Sequence, residues 1–196
     1  MSGQGNHLKY WELALLAALC LALCAAVWAQ GEGERISGSL IRLHVLAVDD
    51  SAAEQAVKLR VRDAVLDFLT PRLEGIEDRD EAAELLRCSL GELRRTAAEA
   101  AEGREVTVTL TRERYPTRRY GGFTLPAGQY DSLRVILGEG EGHNWWCVVY
   151  PPLCLACESS EPLEQALGTE RFQILVGDGT ALRFRLLELW DAVAGA

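Results

Sequence analysis

Between residues 40 and 48 the chain alternates, with Ile41, Leu43, Val45 and Ala47 on one side and Arg42, His44 and Leu46 on the other. That period of two predicts a half-buried strand. Asp49-Asp50-Ser51 then turns the chain, and Ser51 with Glu54 three residues later matches a helix capping box. The helix that follows carries Ala53, Val57, Val61, Ala64, Val65 and Phe68 at steps of three and four, and Pro71 is read as lying just beyond its end. A second helix, over about 79–101, places Ala83, Leu86, Leu90, Leu93, Ala97 and Ala101 on one stripe before Gly103, with Cys88 off the stripe and unpaired.

The pattern then changes to strands. Val106, Val108 and Leu110 alternate with Glu105, Thr107 and Thr109; Leu133, Val135 and Leu137 repeat the pattern; residues 145–150 form a further strand that Pro151-Pro152 must stop. The intervening GEGEG reads as a flexible, acidic hairpin connection. Towards the end, residues 172–176 read as a short strand and 182–193 as a terminal helix. Helices segregated from a run of strands predict an α+β domain, a mostly antiparallel sheet covered by helices on one face.

The N-terminus is different in kind. Residues 13–29 are uncharged and apolar, preceded by Lys9 and ending in Val27-Trp28-Ala29, the layout of an export signal. Seventeen helical residues at about 1.5 Å each span about 25 Å, short of the roughly 30 Å hydrocarbon core. Residues 1–29 are therefore read as a signal peptide cleaved before Gln30, with an N-terminal membrane anchor as the alternative; either way the segment enters the membrane. Residues 30–39, rich in Gly and Glu, read as a flexible tether, and 40–196 as one domain.

The formal net charge of -9 repels phosphate backbones and argues against a nucleic-acid partner. Arg112, Arg114, Arg118 and Arg119 form a local basic exception, suited either to solvating a loop or to docking on an acidic patch. Of six cysteines, Cys20 and Cys24 lie in the apolar segment. Cys147, Cys154 and Cys157 fall close together in an exported region, which suggests one disulfide, joining Cys147 to Cys154 or Cys154 to Cys157.

Candidate chemistry is weak. The GEGEG run is followed by a strand rather than the helix N-terminus a phosphate loop needs. His143, Asn144 and Cys147 supply the residue types of a thiol hydrolase, yet positions four apart on a strand are about 13 Å apart, which leaves His44 as the alternative base. The Cys154–Cys157 CxxC is half of a redox or zinc motif without the surrounding pattern. No metal or other cofactor is called for. Trp145 and Trp146 point to opposite faces of an extended strand, so one fills the core and the other is free to anchor a partner.

Several of these segments together, LPAG at 125–128, GEG at 138–140, NWWC at 144–147, PPLC at 151–154 and the strand–helix block at 41–66, closely resemble the stage II sporulation protein R family. The resemblance covers residues 40–154, with two departures: Val48-Asp49 in place of the usual Asn-Ser, and Leu125 in place of an aromatic residue. It implies an exported signalling protein of endospore formation and no enzymatic activity. Such a protein is made in the forespore and released between the forespore and mother-cell membranes. There it triggers a membrane-embedded aspartic protease that processes the pro form of the mother-cell sigma factor. On that reading His143, Asn144, Trp145, Trp146, Tyr120 and Tyr130 are the candidate partner-binding residues. The competing class is an exported thiol enzyme, either a Cys-His hydrolase using Cys147 or a disulfide oxidoreductase using Cys154 and Cys157.

Overall fold

The structure, a computed structural model, describes residues 9–120, 122–152 and 161–176. The elements run α1 (Tyr10–Gly38), β1 (Ile41–Leu46), α2 (Ala52–Leu73), α3 (Arg79–Ala100), β2 (Val106–Tyr115), β3 (Arg118–Tyr120), β4 (Phe123–Leu125), β5 (Gly128–Leu137), β6 (Asn144–Tyr150), α4 (Glu161–Leu167) and α5 (Thr169–Val176). This is an α+β domain around a mixed four-stranded sheet of order β2-β5-β1-β6. β1 pairs parallel with β5 and antiparallel with β6, and β2 pairs antiparallel with β5 along its whole length. A separate β3–β4 hairpin is inserted between β2 and β5.

The helical layer forms where its sequence says it should. Ser51 caps α2 by accepting the Glu54 amide at 3.3 Å, while Asp49, rather than Glu54, accepts the Ser51 amide at 2.8 Å. Glu54 is thereby free to pair with Arg104 at 2.6 Å, tying the start of α2 to the chain beyond α3. Asp78 caps α3. Val57, Val61, Val65 and Leu69 of α2, with Ala83, Leu86, Leu93 and Ala97 of α3, close over Leu43, Val45, Leu133, Val135, Cys147 and Val149 on the first face of the sheet. Each fully buried aliphatic side chain in such a layer contributes about 1.5–3 kcal/mol.

Among the described residues, the second face is closed over one half. There Ile36 and Leu40, from the end of α1 and the residue before β1, meet Tyr115, Leu125, Tyr130, Val148, Leu163, Leu167, Phe172 and Leu175.

Several sequence expectations give way. β1 is buried on both faces rather than one, because it runs between β5 and β6 with material on each side. That insertion also means that β5 and β6 are not a hairpin, since GEGEG crosses the end of β1 to reach the far edge. Residues 30–38 are the closing turns of α1 rather than a flexible tether: Ile36 and Ser37 are buried, and Glu32 is shared by Arg35 and by Arg171 of α5 at 3.3 Å. Pro71 lies inside the last turn of α2, not after it. Residues 172–176 are helical: Phe172 and Leu175, three apart, are the buried pair, a helical spacing that a strand would split between faces. The helix expected over 182–193 lies outside the described residues.

Candidate partner-binding site

The register aligns Thr109, Arg134, His44 and Trp146 in one row across all four strands of the second face. His44 is held from both ends, its Nδ1 3.3 Å from Glu113 Oε2 and its Nε2 3.0 Å from Asn144 Oδ1. Glu113 is a hub, pairing with Arg134 at 3.0 Å and accepting the Tyr115 hydroxyl at 3.2 Å, while that hydroxyl lies 2.7 Å from Ser132 Oγ. Trp146 packs edge-on to His44 and Tyr115, and the Arg118 guanidinium lies over its ring at 4.1 Å from the centroid.

Next to this row Arg42 is completely buried, without a carboxylate among the described residues. Its guanidinium carbon is 4.0 Å from the centroid of Tyr115, 5.1 Å from that of Tyr130 and 5.5 Å from that of Tyr120. Nη2 donates to the Tyr120 hydroxyl, whereas Nε and Nη1 find no partner among the described residues. A buried cation is costly unless compensated, and three ring faces compensate it in part. Burial pushes the pKa values of Tyr115, Tyr120 and Tyr130 upward, and the Arg42 charge acts in the opposite direction. All three phenols are therefore neutral at physiological pH.

The loop between β5 and β6 is clamped to the start of α2. The Gly142 amide donates to the Ala47 carbonyl at 2.9 Å. The His143 amide donates to Asp50 Oδ1 at 2.6 Å, the His143 ring pairs with the same carboxylate at 2.5 Å, and Lys58 Nζ donates to the His143 carbonyl at 2.8 Å. Lys58 is buried, which lowers its pKa, with Asp50 working against the shift. Gly142 is required by proximity: a Cβ there would stand 2.6 Å from the Asp49 carbonyl carbon. Gly138 and Gly140 have φ of +55° and +70°, the left-handed region that favours glycine. The connection is thus fixed rather than flexible.

The six candidate residues divide between the faces. Asn144, Trp146 and Tyr120 share the second face with Arg42 and His44. Tyr130 is there too, but it is fully buried and donates to the Pro126 carbonyl at 2.7 Å, so its side chain is closed to a partner. His143 is exposed, and Trp145 packs against the first core with Arg62 4.4 Å over its ring. Both tryptophans are half-buried, so neither stands fully out in solvent. Cys147 is disulfide-bonded, with a partner outside the described residues, where Cys154 and Cys157 also fall. Among the described residues, Cys20, Cys24 and Cys88 are free thiols, and no group of His, Cys, Asp and Glu is placed to hold a metal ion. The residues that the sequence reading missed are Arg42, Glu113, Ser132 and Arg134; the one signal available was that Arg42 and His44 share a parity on β1.

Residues 37–160 match the family described as stage II sporulation protein R. The chain belongs to that family. It is 37% identical over 123 residues to stage II sporulation protein R of Bacillus subtilis (strain 168), an alignment covering 61% of this chain and 55% of that protein. The chain thus spans about half the length of the curated relative it matches. No solved structure matches it at a significant level. A role in sporulation follows from the family. The matched region takes in the clamped loop, both tryptophans and every strand residue of the His44–Glu113–Arg42 face.

Proposed function

We propose that this protein is an exported signal of endospore formation, acting between the forespore and mother-cell membranes. There it activates a membrane-embedded aspartic protease, which then processes the pro form of the mother-cell sigma factor. The family match over residues 37–160 carries the reading. Two features support it. α1 contains an apolar stretch long enough to cross a membrane, with mean hydropathy 2.2 and none of that window buried, as an export signal or anchor requires. The competing hydrolase reading needs Cys147 as a thiolate, and its sulfur is engaged in a disulfide.

The test is to add the purified full-length protein, in neutral detergent, to the outside of vesicles that carry the protease and enclose the pro-sigma factor. Cleavage that depends on the added protein supports the reading. Vesicles that leave the pro-sigma factor intact, with a protease shown to be active by other means, refute it. Intact-mass analysis of protein recovered from sporulating cells then decides between a chain starting at Gln30 and one retaining α1 as an anchor.

A further inference from the structure

Among the described residues, the strands of the second face carry Arg42 and Arg134, and the β3–β4 hairpin lays Arg118 over Trp146, against a single strand carboxylate, Glu113, in a chain whose net charge is -9. Glu113 is already divided among His44, Arg134 and Tyr115. Arg118 is exposed and has no carboxylate or hydrogen-bond acceptor among the described residues, but it is not loose, because its guanidinium lies over Trp146. Stacking fixes the plane of the guanidinium and leaves its N–H edge open, the presentation that suits fork-to-fork recognition of a carboxylate. Its neighbour Arg119 is likewise exposed and without a carboxylate among the described residues.

Among the described residues, no helix or strand closes the half of the face around this row. Thr107, Thr111 and Asn144 are exposed, Thr109, Arg134 and Trp146 are half-buried, and the helices that close the second face meet its other half. β2, beside the row, is a ten-residue strand at the sheet edge with no strand on its outer side among the described residues. An open edge of that length accepts an extended chain more readily than a headgroup layer.

We propose that the open half of this face, centred on Arg118, Trp146 and Arg134 beside the buried His44, is the docking surface for an extended acidic segment of a protein partner, whose carboxylates pair with Arg118 and Arg134. The assignment rests on the signalling reading only for the identity of that partner; the chemistry of the site stands on the charge imbalance itself. An acidic patch on the partner also explains why a protein that is acidic elsewhere keeps this face cationic, since like charges over the rest of its surface disfavour other orientations.

The experiment uses full-length protein in neutral detergent and a fluorescein-labelled decapeptide of alternating Asp and Thr, with a Lys-Thr decapeptide as control. The variants are Arg118→Glu, Arg134→Gln and, as a control of equal charge change on the exposed side of α3, Arg95→Glu. Anisotropy is expected to show binding of the acidic peptide only, weakened tenfold or more by Arg118→Glu and severalfold by Arg134→Gln, weakened by added salt, and unchanged by Arg95→Glu. Melting curves confirm that each variant is folded, and Arg118→Glu, at an exposed site, serves even where Arg134→Gln does not fold. Equal binding by wild type and Arg118→Glu, equal loss in Arg95→Glu, or no binding at all overturns the proposal. Preferential binding to vesicles containing phosphatidylglycerol, dependent on the same arginines, also overturns it by assigning the face to a membrane. In the vesicle cleavage assay, a folded Arg118→Glu protein that activates the protease normally sinks the docking surface and leaves the signalling reading intact. A wild type that binds the peptide but never triggers cleavage does the reverse.

Discussion

Replacing Gly142 with alanine is expected to destabilise the domain although it adds one methyl group at a loop position. The new Cβ would lie 2.6 Å from the Asp49 carbonyl carbon and 2.9 Å from its Cα, and all of these are backbone atoms that cannot rotate away. The loop must therefore lift. Lifting it breaks the 2.9 Å Gly142–Ala47 hydrogen bond and strains the Asp50–His143 and Lys58–His143 contacts, which span 2.5–2.8 Å. A neutral hydrogen bond contributes about 1 kcal/mol and one to a charged group about 1.5–3 kcal/mol; with Asp50 exposed, its share falls at the low end. A net loss of about 3 kcal/mol follows, or roughly 6–12 °C in melting temperature for a domain of this size. Gly91 supplies the internal control, because it lies within α3 with nothing within 4 Å of a built Cβ. Gly91→Ala should stabilise by about 0.4–1 kcal/mol by restricting the unfolded chain and favouring the helix. Thermal melts by circular dichroism on the two single variants decide it. A Gly142→Ala protein melting within a degree of wild type, beside a stabilised Gly91→Ala, would mean that the loop is not clamped.

Three further outcomes are expected. Trp145→Ala should cost about 3 kcal/mol in urea unfolding, since its ring packs against the first core under Arg62; a loss below about 1 kcal/mol would place it outside the core. Tyr115, Tyr120 and Tyr130 have folded pKa values raised by burial above the ordinary value of 10.0. The stability they contribute is full below that value and is lost as pH rises beyond it, so melts should be level from pH 8 to 9 and fall steeply above 10, and a flat profile to pH 12 would contradict their burial. Alkylation of the denatured, unreduced protein should label Cys88 and leave Cys147 unlabelled until reductant is added; labelling of Cys147 before reduction removes the disulfide.

Local signals in the sequence carried the helical layer well. The Ser51 cap, the three-and-four spacing of α2 and α3 and the strand alternation at Val106, Leu133 and Trp145 all have local causes, and the structure follows them. The opposite orientation of Trp145 and Trp146 was legible for the same reason, because alternation along a strand is a local property. Strand order was not legible. β1 and β5 are separated by two helices and three strands, and their parallel pairing is decided by how α2 and α3 pack, not by any turn. Once β1 is central, Arg42 and His44 cease to be a wet face, and that burial creates the tyrosine cage and the polar row. Sequence reading also treated glycine as a sign of freedom. At Gly142 and at Gly31, Gly33 and Gly38 it signals opposite things: close approach in a clamped loop, and a helix that continues because Ile36 and Glu32 find partners in the domain.

That continuation of α1 bears on how the molecule presents itself. Ile36 and Leu40 sit in the same cluster as Tyr115, Tyr130 and Val148, so the helix that leads to the apolar segment joins the domain on the cationic second face and not on the α2–α3 side. The contact between α1 and α5 through Glu32 and Arg171 extends that junction. With Ile36 docked, only about two turns of helix separate the domain from Ala29, the last residue of the apolar run, a rise of about 10 Å. While the apolar segment occupies a membrane, the domain is held close above it, with its second face on the side of the joint. Cleavage before Gln30 leaves the docked turns in place and releases that geometry without altering the face itself. Anchored and released forms should therefore bind the same acidic segment with the same intrinsic affinity and differ in effective concentration at the membrane. A form lacking residues 1–29 that needs a much higher concentration to trigger cleavage, yet binds the acidic peptide equally, fits this reasoning, and unequal peptide binding by the two forms refutes it.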